Sequence, residues 1–297
     1  MNFFIICSLI FSSALNAQSS DFYKKAEKLI SDKKYPEASV ILNKLVEKNK
    51  KDLRAYGLFA DMYRAMGGTE NIKEAQAYYY MISAENKNDI DSKMGVGICS
   101  YLLGHKEKAR IIFEDIYKTY PKIKNINYYM ANLTFDRGQT EKSRGYFKKE
   151  LEVNASNVDA LFFLGVTYEY DNKGDRMTSG SKIGEATKYY NEAIKIDPLY
   201  APALFNLSLD YSLNKDQEKA IATAEKILKI KSADALYNTV YYNIACFYAI
   251  KKDAKRSIEN LKKAIDNGFN DFDHMKNDED LIYLRDKKDF KDLFKSN

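Results

Sequence analysis

Two histidines, three cysteines and no tryptophan occur among 297 residues, and these scarcities close off whole classes of function. His105 sits beside Gly104 and His274 near the carboxyl end, with most of the chain between them. They share no site, and neither belongs to a cluster with metal-ligand spacing. No glycine-rich phosphate loop and no nucleophile elbow is present, and the many Glu and Lys pairs at helical spacing have the pattern of surface ion pairs. The chain is therefore read as non-catalytic, with no metal and no cofactor. Charge of one sign is also lacking. Lys and Arg number 47 against 42 Asp and Glu, a net +5, and no basic run stands apart from compensating acids. That is a solvated surface, which argues against nucleic acid or a membrane surface as partner.

Long apolar runs are missing with one exception. Met1 to Phe11 is almost continuously apolar, through Phe3, Phe4, Ile5, Ile6, Leu9, Ile10 and Phe11, and small residues follow at Ser12, Ser13, Ala14 and Ala17. This is the layout of a secretory signal peptide over residues 1–17, too short to span a bilayer, although its start carries no Lys or Arg. Cleavage after Ala17 would leave the polar Gln18-Ser19-Ser20 at the new terminus; a cut after Ala14, with Ser12 upstream, fits the small-x-small rule. The expectation is an exported chain, periplasmic or secreted, with no integral membrane span. Phe4-Ile5-Ile6 before Cys7 is not a lipoprotein box. Cys99 and Cys246 then remain, and the expectation for both is a small buried hydrophobe, too far apart to pair.

What the chain has in abundance is regularity. With repeat starts at residues 19, 53, 90, 124, 158, 201 and 238, a step of about 34 residues, the eighth position reads Ala26, Ala60, Gly97, Ala131, Gly165, Ser208 and Ala245. The twentieth, after allowance for insertions, reads Ala38, Ala75, Ala109, Ser143, Ala186, Ala220 and Ser257. Two small positions twelve apart in every unit predict two helices that cross closely at one place, so the array consists of helical hairpins.

These residues resemble the tetratricopeptide repeat family. Repeat five carries Leu161, Leu164-Gly165, Tyr168, Ala186, Tyr190, Ala193 and the Asp197-Pro198 turn; repeat three adds Gly97, Gly104, Ala109, Phe113 and Pro121. The resemblance covers residues 19 to about 269 and implies an all-α fold, a right-handed α-solenoid of about seven helical hairpins plus C-terminal capping helices. It divides the chain into a signal peptide (1–17), the array (18–269) and a cap (270–297). Two departures stand out. Without Trp, the fourth position reads Phe22, Tyr56, Lys93, Asn127, Leu161, Leu204 and Tyr241, and Glu150 replaces a small or apolar residue, so looser packing is expected at repeat four.

Three insertions interrupt the frame: around Gly67-Gly68-Thr69-Glu70, within Asp171 to Lys182, and near Ser232 to Asn238. The longest has the composition of a flexible surface turn, and Lys173 and Lys182 occupy places where a calcium loop needs acids. Asn267-Gly268 marks a helix stop, after which Leu281, Leu284, Phe290, Leu293 and Phe294 recur at helical spacing, as in a terminal cap that closes the chain.

In the family, positions two, five, nine and twelve of each first helix line the concave groove. Over repeats four to seven this stripe and its neighbours present Tyr128, Tyr129, Asn132, Phe135, Phe162, Phe163, Phe205, Asn206, Tyr242 and Asn243, with Asp159 and Glu169 among them. Aromatic rings and amides suit an extended peptide or an apolar helix, so the expectation is a protein-binding scaffold of the bacterial cell envelope. The same rings could equally pack on the next helix, leaving a structural subunit that assembles through its outer surface or ends. A clamp for C-terminal carboxylates is excluded over repeats five to seven, where Phe162, Val166, Pro202, Thr239 and Asn243 stand at positions that would need Lys or Arg.

Overall fold

A computed structural model describes residues 20–171, 173–178 and 180–294; the expected signal peptide lies outside them. Among the described residues helices follow one another without a β-strand, apart from an isolated bridge between Tyr170 and Arg176. No described helix is long and apolar enough to cross a membrane. The chain divides into two compact units, the first ending at Leu133.

The first unit holds α1 (residues 20–31), α2 (Tyr35–Lys48), α3 (Leu53–Met66), α4 (Thr69–Glu85), α5 (Ile90–Leu102), α6 (Lys106–Thr119) and most of α7 (Ile126–Phe135). The second holds α8 (Thr140–Val153), α9 (Val158–Tyr168), α10 (Ile183–Ile196), α11 (Ala201–Leu213), α12 (Gln217–Ile227), α13 (Tyr237–Ile250) and α14 (Ala254–Asp266). Within each unit a helix packs on the one before and the one after it, as α3 on α4, α4 on α5, α9 on α10 and α13 on α14. Short polar residues start the helices: Asp52, Asp89 and Asn157 each accept from a backbone N–H three residues on. Between the two helices of a hairpin one residue takes the left-handed conformation, Gly104 and Gly138 in two units but Lys33, Lys215 and Lys252 in three others. The insertion near Ser232 forms a 3-10 helix, Lys231–Leu236.

Every small position is buried, and two of them show what the space is for. A Cβ on Gly97 would lie 2.5 Å from the Phe113 ring, and one on Gly165 would lie 2.6 Å from the Tyr190 ring. The close approach is thus between the backbone of the first helix and an aromatic ring on the second, rather than between two bare backbones. Glu150 is fully buried and accepts from Asn157 Nδ2 at 3.3 Å.

The last repeat ends at Asn267-Gly268: Gly268 has φ +97°, and the Phe269 N–H bonds back to Ala264 O at 2.9 Å. Beyond it α15 (Phe272–Asn277), a 3-10 helix (Glu279–Leu284) and α16 (Lys288–Asp292) bury Met275, Leu281, Leu284 and Phe290 against Ala245, Ala249, Leu261 and Ala264. The cap therefore continues the core of the seventh hairpin.

Gly165→Ala is expected to destabilise by about 1–3 kcal/mol through overpacking against Tyr190. Gly145→Ala, at an exposed position of α8 with no atom near the new methyl, should gain about 0.5–1 kcal/mol. Urea titration of the two variants checks the pair, and equal midpoints would show that the ring yields freely.

Candidate functional site

In the first unit the inner stripe encloses a groove of ≈ 610 Å³. Arg54, Gly57, Asp61 and Arg64, the two, five, nine and twelve positions of α3, line one wall; Asp91, Met94 and Ile98 of α5 line the other. Ile82 and Gly95 complete the apolar part, and Lys124 and Asn125 stand ahead of α7. Helical periodicity places these residues together, since positions three or four apart share a face.

The charged groups on the α3 side hold one another. Arg54 Nη2 pairs with Glu27 Oε1 at 3.0 Å, and its guanidinium lies 4.2 Å over the Tyr23 ring. Arg64 Nη2 meets Asp61 Oδ1 at 3.0 Å and its Nε donates to Tyr79 OH at 3.2 Å, while the Tyr79 hydroxyl donates to Asp61 Oδ1 at 2.6 Å. Burial, reinforced by Asp61, pushes the Tyr79 phenol up, so it stays a neutral donor.

The cause of the opening is one residue. Position five is Tyr23, Met94, Tyr128, Phe162, Phe205 and Tyr242 in six repeats and Gly57 in the second. The nearest atom to a Cβ built there is Ile82 Cδ1 at 3.9 Å. Sequence reasoning centred on repeats four to seven missed this wall, although the loss of a bulky side chain at Gly57 was its signal.

Many of the residues expected to line the groove are committed to packing. Tyr129 stacks on Phe113 at 5.0 Å and meets Tyr128 edge-on at 5.1 Å. Asn132 is buried and donates to Tyr128 O at 2.9 Å, inside its own helix. Phe135 meets Tyr170 at 5.2 Å, and Phe163 lies parallel to Phe147 at 6.2 Å. Half-buried Phe162 touches the rings of Phe163, Tyr190 and Tyr200. Phe205 packs partly buried on the cluster around Leu204 and Ile244. Asn206 is 8% exposed and Tyr242 5% exposed, which removes both as ready ligand contacts. Phe269 lies parallel on Tyr242 at 4.4 Å, and the Tyr242 hydroxyl donates to Asp278 Oδ2 at 2.5 Å, so the cap covers that position. Asn243 stays half-buried.

Asn206 belongs to a polar cluster built on Glu169, which stands at the twelfth position of the stripe yet is fully buried. Asn206 Nδ2 donates to Glu169 Oε1 and to Tyr190 OH, both at 3.1 Å; the Tyr190 hydroxyl donates to Glu169, and Arg176 Nε donates to Glu169 Oε2 at 2.7 Å. Arg176 comes from the long insertion, which is an organised hairpin instead of a loose turn. Asp171 Oδ1 accepts from the Lys173 and Asp175 N–H groups, Thr178 Oγ1 donates to Asp171 Oδ2, and Met177 N and Ser181 Oγ donate to Glu169 O. Asp210, also fully buried, accepts from Thr187 Oγ1 at 3.1 Å. Burial, with the Glu169 charge adding to it, pushes the Asp210 carboxyl up to about 7.

Among the described residues no group of three His, Cys, Asp or Glu could hold a metal ion. Cys99 and Cys246 are free, buried thiols, and burial raises both, Cys99 to about 11.

Comparison with known proteins fits this geometry. Residues 239–267 match the family model of the tetratricopeptide repeat, while no curated protein matches the chain. The fold is shared with the APC/C hetero-tetramer Cut9-Hcn1 (TM-score 0.65, 17% identity, 82% of this chain and 45% of that one). It is shared with a tetratricopeptide repeat protein from Parabacteroides merdae (0.52, 17%, 89% and 98%). It is also shared with the human IFIT1 dimer with PPP-AAAA (0.63, 17%, 84% and 59%). The chain thus spans less than two thirds of the first and third of these, and identities this low establish the fold alone.

The raised Asp210 carboxyl sets a pH dependence. Between about pH 4 and pH 7 the folded chain keeps a proton that the unfolded chain has released, so stability falls as pH rises through that window and levels off above it. Asp210→Asn should flatten this slope and be the more stable protein at pH 8, by an amount on the order of a few kcal/mol. Denaturant midpoints at pH 5 and pH 8 check it; parallel slopes in the two proteins would refute the assignment.

Proposed function

Because the chain is built of tetratricopeptide-type hairpins, we propose that it is a non-catalytic interaction scaffold that holds an extended peptide segment of a partner protein along its inner stripe. The observation that carries this reading is the ≈ 610 Å³ groove between α3 and α5, with an apolar floor, ordered ion pairs and backbone made accessible by Gly57. The half-buried rings of Tyr128, Phe162 and Phe205 are secondary candidates, since each keeps part of its surface exposed. The apolar segment of residues 1–17 supports export and a role in a bacterial cell envelope.

A second reading, a structural subunit that assembles through its outer face, is favoured by one observation. Tyr80 of α4 and Ile111 of α6, 42% and 59% exposed, border a separate pocket of ≈ 460 Å³. Affinity capture from an envelope extract separates the two readings. The charge-reversed groove variant Arg54→Glu/Lys124→Glu is expected to lose the partner that the native chain and the outer-face variant Tyr80→Glu/Ile111→Glu retain. Loss with the outer-face variant alone would transfer the function to that surface.

A further inference from the structure

The groove's shape and its uncommitted charges specify an occupant. In six of seven repeats a ring or a methionine fills position five; at Gly57 that volume is open, bounded by Ile82, Met94 and Ile98. Rings of the same chain show how such a space is normally filled: Phe162, at the equivalent position, contacts three other rings at 5.0 to 5.7 Å. A flat, bulky side chain supplied from outside would occupy the vacancy at low entropy cost.

Charge narrows the choice further. Both arginines of the groove are neutralised by their own neighbours, Arg54 by Glu27 and Arg64 by Asp61, so neither is free to receive a carboxylate. Asp89 is spent on the first turn of α5, where it accepts from Ser92 N at 3.0 Å. Asp91 and Lys124, both exposed, have no ion-pair partner among the described residues, and they ask for a basic and an acidic group respectively.

We propose that the groove between α3 and α5 binds an extended peptide through one aromatic anchor seated over Gly57, with a basic residue toward Asp91 and an acidic one toward Lys124. This rests on the peptide-groove reading above and adds the identity of the anchor. The close fit at Gly95, where a Cβ would lie 2.6 Å from the Tyr79 ring, leaves no second vacancy in α5, so a single anchor is accommodated.

The test is a bump and its complement. A display library of random dodecapeptides is selected on the full chain, and the retained sequences are measured against Gly57→Phe and Gly57→Ala. The larger side chain projects into open space, since only Ile82 Cδ1 comes within 4 Å of the new Cβ, so both variants should keep native helicity. Retained peptides are expected to share one Phe, Tyr or Trp. Gly57→Phe should weaken them about 30-fold, the factor for burying an aromatic side chain, while Gly57→Ala changes affinity little. Peptides whose ring is replaced by Gly should lose binding to the native chain and regain it on Gly57→Phe. Asp91→Lys should weaken basic peptides and favour their charge-reversed versions. Peptides that bind the native chain and Gly57→Phe equally, yet are lost on Arg54→Glu/Lys124→Glu, would overturn the anchor and leave the groove standing. Retention of no peptide at all would overturn both.

Discussion

The structure depends on a single recurring contact: the place where the two helices of a hairpin cross. At Gly97 and Gly165 the first helix has no side chain, and a ring from the second, Phe113 or Tyr190, fills the space left. Elsewhere Ala26, Ala60, Ala131 and Ala245 serve the same crossing with a methyl group. Interiors at this density respond to one added carbon, because a contact at 2.5 Å needs either the ring or the backbone to move. Once the crossing distance is set, the inner stripe follows, since the pitch of the first helix puts positions two, five, nine and twelve on one face, whose later members still reach the partner helix, as Asp61 and Arg64 reach Tyr79.

Within that stripe position five varies between a ring, a methionine and a glycine. Stability in stacked repeats is close to a sum of local and nearest-neighbour terms, so removing the ring at position five of one repeat leaves the others untouched. Gly57 is tolerated for this reason, although glycine costs about 0.5–1 kcal/mol relative to alanine inside a helix. At the other end of the chain the same position is closed, because Phe269, just after the last repeat helix, and Asp278 of the segment beyond it engage Tyr242.

Much of the fold was legible because its signals are local. Small residues at a fixed step located the hairpins and Gly268 the stop of α14; Leu281, Leu284 and Phe290, read at helical spacing, are buried beyond it. The site was legible only in part. A stripe can be read from periodicity, but whether a ring on it faces solvent depends on what the next helix brings. Tyr129 finds Phe113, and Tyr242 finds a cap whose approach no local pattern encodes. Asn206 looked like a peptide-binding amide because its partners, Glu169 and Tyr190, lie 37 and 16 residues away. The open place was marked by an absence, a glycine where five repeats carry a ring and one a methionine.

The insertion in repeat five follows from the same bookkeeping of buried groups. The ring position of the second helix holds Tyr in repeats two and five, as Tyr79 and Tyr190, where repeats three and four hold Phe113 and Phe147. A buried phenol needs an acceptor, and each finds a carboxylate: Tyr79 uses Asp61 and Tyr190 uses Glu169. A carboxylate held by a buried phenol in turn needs a cation or several donors, whether half-exposed like Asp61 or fully buried like Glu169. In repeat two Arg64 supplies it from the next turn of the same helix. In repeat five Glu169 sits at the end of α9, no arginine follows one turn on, and the cation must come from outside the helix. The long insertion delivers Arg176 and is itself pinned by the backbone carbonyl of Glu169. Tyrosine in place of phenylalanine at one ring position thus accounts for a buried acid, for the asparagine that joins it, and for the order of a loop whose composition alone suggested a flexible turn.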